Sequence, residues 1–215
     1  MNSVVSQNNV LGKMTIDVIA VAYQRFGELK VFVQSWINQT ETNWVLTVIH
    51  DGPSAEFEMI MASFETQAPQ RVFHKTTERR YKDYGHTLRD IGLKSVTGDY
   101  VLLTNADNYF IPKAIEFMNE ALHQNDADVV IFDMIHSHTR PGGRNLPPYS
   151  YFETNYAPRS IDISAAIVKS ELARMAGFRD KTHDGDATYF GDIVNMKAPL
   201  PLSILKIPRV LFVHN

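Results

Sequence analysis

The stretch IDVIAVAYQRFGELKVFVQSWINQTETNWVLTVIHDGP, residues 16–53, decides the architecture. Ile16–Ala22 is a short apolar and β-branched run that reads as a buried strand. Leu29, Val33, Trp36 and Ile37 then recur at i, i+4, i+7 and i+8, which predicts a helix over Phe26–Gln39. Trp44–His50 is a second strand, stopped by Asp51-Gly52-Pro53. Strand, helix and strand in that order form the repeating unit of a parallel sheet with helices on its faces.

The alternation continues outward. Ser54 caps a helix in which Phe57, Ile60, Met61 and Phe64 keep helical spacing. Arg71–Lys75 is a third strand, and Thr76–Gly85 (TTERRYKDYG) a mobile polar loop. Thr87–Val96 is a helix and Tyr100–Thr104 a fourth strand. Pro112 opens a helix through His123, and Val129–Met134 is a fifth strand. The fold class is therefore α/β: a Rossmann-like, mainly parallel central sheet flanked by helices. After His136 the pattern breaks. His138–Pro158 holds Pro141, Pro147, Pro148 and Pro158, two adjacent glycines and three tyrosines, the composition of a long irregular loop. A short helix near Glu171–Ala176 is closed by Gly177, and Val210–Val213 is a last strand.

The chain has 215 residues, enough for one domain, with residues 1–14 expected to be a flexible tail and 15–215 a single folded unit. The formal charge of −3 and the absence of a basic stripe argue against a nucleic-acid partner. There is no cysteine, which excludes disulfides and thiolate metal sites and fits a cytoplasmic location. No apolar run approaches the length of about 18 residues that reads as a spanning helix. Peripheral membrane contact is compatible with this composition, as is a monomer or homodimer.

Ligands of parallel α/β sheets bind at the carboxyl ends of the strands. The polar residues there are Tyr23-Gln24-Arg25, Asp51-Gly52 and Asn105-Ala106-Asp107-Asn108, which the topology sets along one edge. Each alone also reads as an ordinary turn. Asp107 and its neighbours offer hard oxygen ligands, the set that suits Mg²⁺ or Mn²⁺ bridging to phosphates. Neither GxxxxGK[ST] nor GxGxxG is present, so a bound diphosphate needs a metal and the cations Arg79, Arg80, Lys82 and Arg89. A second acidic cluster, His183-Asp184-Gly185-Asp186, could present a carboxylate to an acceptor hydroxyl and take its proton.

Taken together, these segments resemble the family 2 inverting glycosyltransferases of GT-A fold. The family's VVIPTYNR is VIAVAYQR here (Val18–Arg25), and its SLLNQTYPNFEIIVVDDGS is SWINQTETNWVLTVIHDGP (Ser35–Pro53). Its ARNxGIxxAxGEYIxxLDADD corresponds to LRDIGLKSVTGDYVLLTNADN (Leu88–Asn108). Ile161–Asp180 is similar to the family's strand-helix segment ending in GGFDE, and Gly185-Asp186 falls where the family carries its base.

The resemblance implies a nucleotide-sugar-binding half (15–110) and a smaller acceptor-side region (111–215). It implies hexosyl transfer from a nucleotide sugar, with UDP favoured, to a carbohydrate or glycolipid acceptor in polysaccharide or glycoconjugate synthesis. It places Ala22, Tyr23, Arg25, Asp51, Arg89, Asn105, Ala106 and Asp107 at the nucleotide sugar. Asp107 would hold a Mn²⁺ or Mg²⁺ ion, joined by His214. Asp186 would be the general base, and Asp162 and His183 would lie on the acceptor side. The chain departs from the pattern at His50 for the first acid of DDG, Asn105 for the first Asp of DxD, and Gly185 for the Glu before the base. Those departures are what a non-catalytic nucleotide-sugar or carbohydrate-binding homologue would show. A sugar-phosphate nucleotidyltransferase would need a GGxGTRL-type loop where AYQRFGEL stands, and a redox Rossmann protein its glycine fingerprint.

Overall fold

The computed structural model describes residues 14–123 and 125–215, so the expected tail lies outside the described residues except for Met14. The first half forms β1 (Ile16–Ala22), α1 (Phe26–Ile37), β2 (Trp44–His50), α2 (Ala55–Gln67), β3 (Val72–Thr76), α3 (His86–Leu93) and β4 (Tyr100–Asn105). The second half adds β5 (Tyr109–Phe110), α4 (Ala114–His123), β6 (Val129–His136), β7 (Ser150–Phe152), β8 (Ala166–Lys169), α5 (Ser170–Ala176), α6 (Gly185–Lys197) and β9 (Ile204–His214). One sheet runs in the order β3-β2-β1-β4-β8-β6-β9-β5, with β7 beside β6.

The long ladders, β1–β2, β1–β4, β2–β3 and β6–β9, are parallel. β8 lies antiparallel between β4 and β6 and joins the two halves, and β5 and β7 add short antiparallel pairs. Alternate side chains of a strand point to opposite faces. Val18 and Ala20 accordingly pack with Phe32, Trp36, Phe57 and Met118 under α1, α2 and α4. Ile19 packs on the other face with Leu88 of α3, Phe178 of the loop after α5, and Tyr189 and Ile193 of α6. The centre of the first layer is aromatic: Trp36 lies 4.8 Å from Phe110 and 5.9 Å from Trp44 between ring centroids.

Ser54 caps α2 as expected, its hydroxyl accepting from the Phe57 N–H. Helix α1 stops at Ile37 instead of Gln39. The Gln39 side chain donates to the carbonyls of Ser35 and Ile111 and accepts from the Ile115 N–H, tying α1 to the start of α4. Two elements of the second half have weak signals. Strand β9 is longer than Val210–Val213 because Pro208, which lacks an N–H, sits at a register shift opposite Phe132 and Asp133 instead of ending the strand. Helix α6 contains Gly185 and Gly191, which weaken its propensity, and it is held by burial of Tyr189, Phe190 and Ile193. The 138–158 segment contains a single 3₁₀ turn and β7. Buried Asp133 anchors it, accepting from the Tyr151 hydroxyl and the Thr154 N–H beside Lys206.

Candidate functional site

Strands β1, β2 and β4 end level with one another, Ala22 opposite His50 and Val21 opposite Asn105. Their carboxyl edge forms the floor of a cleft of about 470 Å³. Ala22, Tyr23, Arg25, Asp51, Asn105, Ala106 and Asp107 line it, with Arg80, Lys82 and Tyr84 from the loop before α3 as its roof. The loop descends onto β1 through Gly85, at φ 82, where a Cβ would sit 2.7 Å from Val21. Only glycine combines that backbone with that approach.

Asp51 holds the roof in place. Its carboxylate accepts from the N–H groups of Tyr81 (2.7 Å) and Lys82 (3.2 Å), and Arg80 lies 3.6 Å away. The Arg80 guanidinium stacks 3.3 Å above the Tyr23 ring. His50 is buried against Tyr23, Phe26 and Phe57, with Nδ1 2.7 Å from the Gly52 carbonyl oxygen. An acid at that position would lack this aromatic packing.

A buried polar chain runs beneath the floor. The Asn105 side-chain oxygen accepts from Arg89 Nη2 at 2.7 Å. Arg89 Nη1 donates to the Tyr84 carbonyl and to His86 Nδ1. With Nδ1 accepting, the His86 proton is assigned to Nε2, which donates to the Thr182 carbonyl at 2.9 Å. Burial and the charge of Arg89 hold His86 below its ordinary pKa, which keeps it neutral. Asp186, in the first turn of α6, lies 3.8 Å from His86 Nδ1, and its Oδ1 is buried without a hydrogen-bond partner. Burial pushes its carboxyl above the ordinary value; Arg89 pulls it down and Asp162 pushes it up again.

Asp107 faces the cleft from the other side of Asn105. Its Oδ2 accepts from Arg25 Nη1 at 2.5 Å, and its Oδ1 is buried and unpartnered. Burial raises its pKa, while the charges of Arg25 and His214 oppose the rise. His214 stacks on His136 (4.4 Å between centroids), with Nε2 3.6 Å from Asp162 and Nδ1 unpartnered. Burial, with His214 beside it, drives His136 down to about 4. Asn215 fixes this corner by bonding the Asn108 side-chain oxygen and the Asp107 carbonyl. Among the described residues no three His, Asp or Glu side chains form a ready-made metal cage. The unpartnered Asp107 Oδ1 and His214 Nδ1 suit a hard cation that takes its remaining ligands from phosphate and water.

The sequence pattern of glycosyl transferase family 2 matches residues 17–180. The chain belongs to this family. An uncharacterized glycosyltransferase of Rickettsia bellii is 24% identical over 178 residues, 80% of this chain and 24% of the relative. The uncharacterized glycosyltransferase YwdF of Bacillus subtilis is 25% identical over 64% of this chain and 51% of its own length. The chain thus spans between about a quarter and a half of these relatives. Among solved structures, S. aureus TarS 1–349 in complex with UDP-GlcNAc superimposes with a TM-score of 0.73 at 14% identity, over 93% of this chain and 58% of that one. The mannosyltransferase PcManGT of Pyrobaculum calidifontis, in complex with GDP-Man and Mn²⁺, gives 0.67 at 15% identity over 94% and 56%. The fold is that of GT-A glycosyltransferases, and no described helix is long and apolar enough to cross a membrane.

In this family 2 chain the structure gathers most of the residues singled out in the sequence. Of the eight placed at the nucleotide sugar, seven line the cleft and Arg89 lies buried beneath it; Gln24, Arg80 and Lys82 line it too. Asp162 caps the 3₁₀ turn Ile163–Ala165 and faces His214. His183 is exposed, edge-on to Tyr84 at 5.7 Å. Arg80, expected only as one of the cations for a diphosphate, stacks on Tyr23 near Asp51, and His86 has no forecast role. His86 has one usable signal, its i, i+3 spacing to Arg89 on the same helix face.

Proposed function

We propose that this protein is an inverting, metal-dependent glycosyltransferase that moves a sugar from a nucleotide sugar to an acceptor hydroxyl. The observation that carries the proposal is the joining of two functions. A cleft bearing Tyr23, Asp51 and Asp107 is linked through Asn105, Arg89 and His86 to the partly buried carboxylate of Asp186. The UDP and UDP-GlcNAc complexes of TarS support a uridine donor. Tyr23 would stack the base. Asp51 keeps lone pairs beyond those used by Tyr81 and Lys82, so it can also accept a base N–H. Asp107 and His214 would hold Mn²⁺ or Mg²⁺. Such an ion, when bound, supplies electrostatic stabilisation of the charge that develops on a leaving diphosphate.

Asp186 would take the proton of the acceptor hydroxyl as its oxygen attacks the anomeric carbon from the face opposite the diphosphate. The new glycosidic bond forms as the bond to the diphosphate breaks, so the configuration inverts. A carboxyl raised above its ordinary range is a better base at neutral pH than a free aspartate. Residues 15–110 serve the donor and 111–215 the acceptor, a carbohydrate or glycolipid, with Asp162 and His183 at its edge. Synthesis of a polysaccharide or glycoconjugate on the cytoplasmic side fits that chemistry.

A non-catalytic homologue is the second reading, favoured by Arg80 filling the face of Tyr23. Donor turnover separates the two. A panel of UDP-sugars with Mn²⁺ and candidate acceptors should yield UDP with the wild-type chain. The rate with Asp186→Asn should fall by roughly 10²–10⁴-fold while donor binding is retained. Donor binding with no turnover by the wild type under any pairing would favour the second reading.

A further inference from the structure

Arg25 stands between two carboxylates. Its Nη1 donates to Asp107 Oδ2 at 2.5 Å, and its Nε and Nη2 lie 3.2 Å from Glu28 Oε1. The backbone is set for this reach: Gln24 and Arg25 are both left-handed, at φ 54 and φ 52, a conformation non-glycine residues seldom adopt. Asp107 is the carboxylate proposed for the metal, and its other oxygen is the buried, unpartnered Oδ1. The guanidinium therefore occupies one oxygen of that ligand while the other is left without a partner. The side chain of Arg25 is 49% exposed and lines the same cleft, so it is free to turn toward a ligand there.

We infer that Arg25 is a positioning residue that makes the divalent cation and the nucleotide diphosphate bind together, by occupying Asp107 until the diphosphate draws it away. The inference rests on the metal-dependent donor site proposed above. A cation entering beside Asp107 meets a like charge at hydrogen-bonding distance from the ligand oxygen, so metal alone binds weakly. A diphosphate offers the guanidinium a planar, bidentate partner that competes with Asp107. Glu28, one helical turn on, keeps the Arg25 side chain at the cleft mouth while it changes partner. Coupling of this kind is reciprocal: whatever factor the nucleotide adds to metal affinity, the metal adds to nucleotide affinity. No bond is made or broken, and only a hydrogen-bond partner changes.

The test is Mn²⁺ uptake by the intact chain, followed from the free-ion signal in electron paramagnetic resonance, with and without UDP. In the wild type, UDP should raise Mn²⁺ affinity by roughly tenfold or more, within the usual range of site-to-site coupling. Arg25→Gln should bind Mn²⁺ alone several-fold more tightly and lose most of the gain from UDP. Glu28→Gln, a change at the surface, should do the opposite for Mn²⁺ alone, because Arg25 then belongs wholly to Asp107. Tighter Mn²⁺ binding by Arg25→Gln with an undiminished UDP gain would indicate only a diffuse charge effect and overturn the inference. Unchanged Mn²⁺ binding by both variants would overturn it as well. No Mn²⁺ uptake by the wild type, with or without UDP, would overturn the metal site itself.

Discussion

Asp186 and His74 show how environment sets what a single residue can do. Asp186 carries a carboxyl held above its ordinary pKa, chiefly by burial. A raised acid pKa means that the folded state binds more protons than the unfolded one between the two values. Stability is then lost as pH rises through that window. Near neutral pH the ionised group costs stability, and Asp186→Asn should remove the cost. The variant is expected to melt at a higher temperature at pH 7 while losing transfer, checked by paired melting and rate measurements. Unchanged transfer would remove Asp186 from the chemistry. The acid limb of the wild-type pH–rate profile should lie above the value of about 3.9 ordinary for Asp.

His74 carries the opposite sign. Burial pulls its pKa down, but hydrogen bonds to Glu58 and Glu65 prevail and hold it above the ordinary value. A raised histidine contributes stability that is complete below the unfolded pKa, about 6.5, and is lost as pH rises through the folded one. The melting temperature should therefore fall as pH rises above about 6.5, and His74→Phe should flatten that slope. A slope preserved in the variant would assign it elsewhere.

Among the elements, α3 ties β1, β2 and α5 together. It packs on β1 at Gly92, where an added Cβ would lie 2.2 Å from Ile19 Cγ2. Gly92→Ala should push α3 off the sheet and cost about 1–3 kcal/mol, the range for overpacking a core, measurable by urea denaturation. Because α3 also carries His86 and Arg89, the variant should bind donor more weakly than its loss of stability alone explains. Asp90, on the same helix, accepts from the Phe178 N–H at 2.7 Å and pairs with Lys181, holding the segment that leads to α6. Asp90→Ala is thus expected to lower the transfer rate more than donor affinity, read as a fall in kcat with little change in KM for the donor.

At the scale of the whole molecule, the N-terminal half was legible in the sequence because its signals are local. Ile16–Ala22 and Trp44–His50 are complete apolar runs, and Asp51 and Asp107 follow their strands directly. In the C-terminal half α4, β6 and α5 were legible too, but α6 and much of β9 were not, because they are held by distant partners. Gly185 and Gly191 obscure α6, and Pro208 hides half of β9, which forms only because β6 supplies a long parallel partner. The route from the cleft floor to Asp186 was hidden for the same reason: His86 meets Thr182 across 96 positions of sequence. Spacing within a helix can suggest the His86–Arg89 pair but not what lies opposite it.

This edge of the sheet is proposed to bind a nucleoside diphosphate through a cation at Asp107. The most direct test is calorimetric titration of UDP into the wild type and Asp107→Ala, each with Mn²⁺ and with EDTA. Saturable binding by the wild type in Mn²⁺, weakened by roughly tenfold or more (about 1.4 kcal/mol per tenfold) in EDTA and in the variant, is the predicted result. Equal UDP affinity in all four conditions, or no binding in any, would contradict the account.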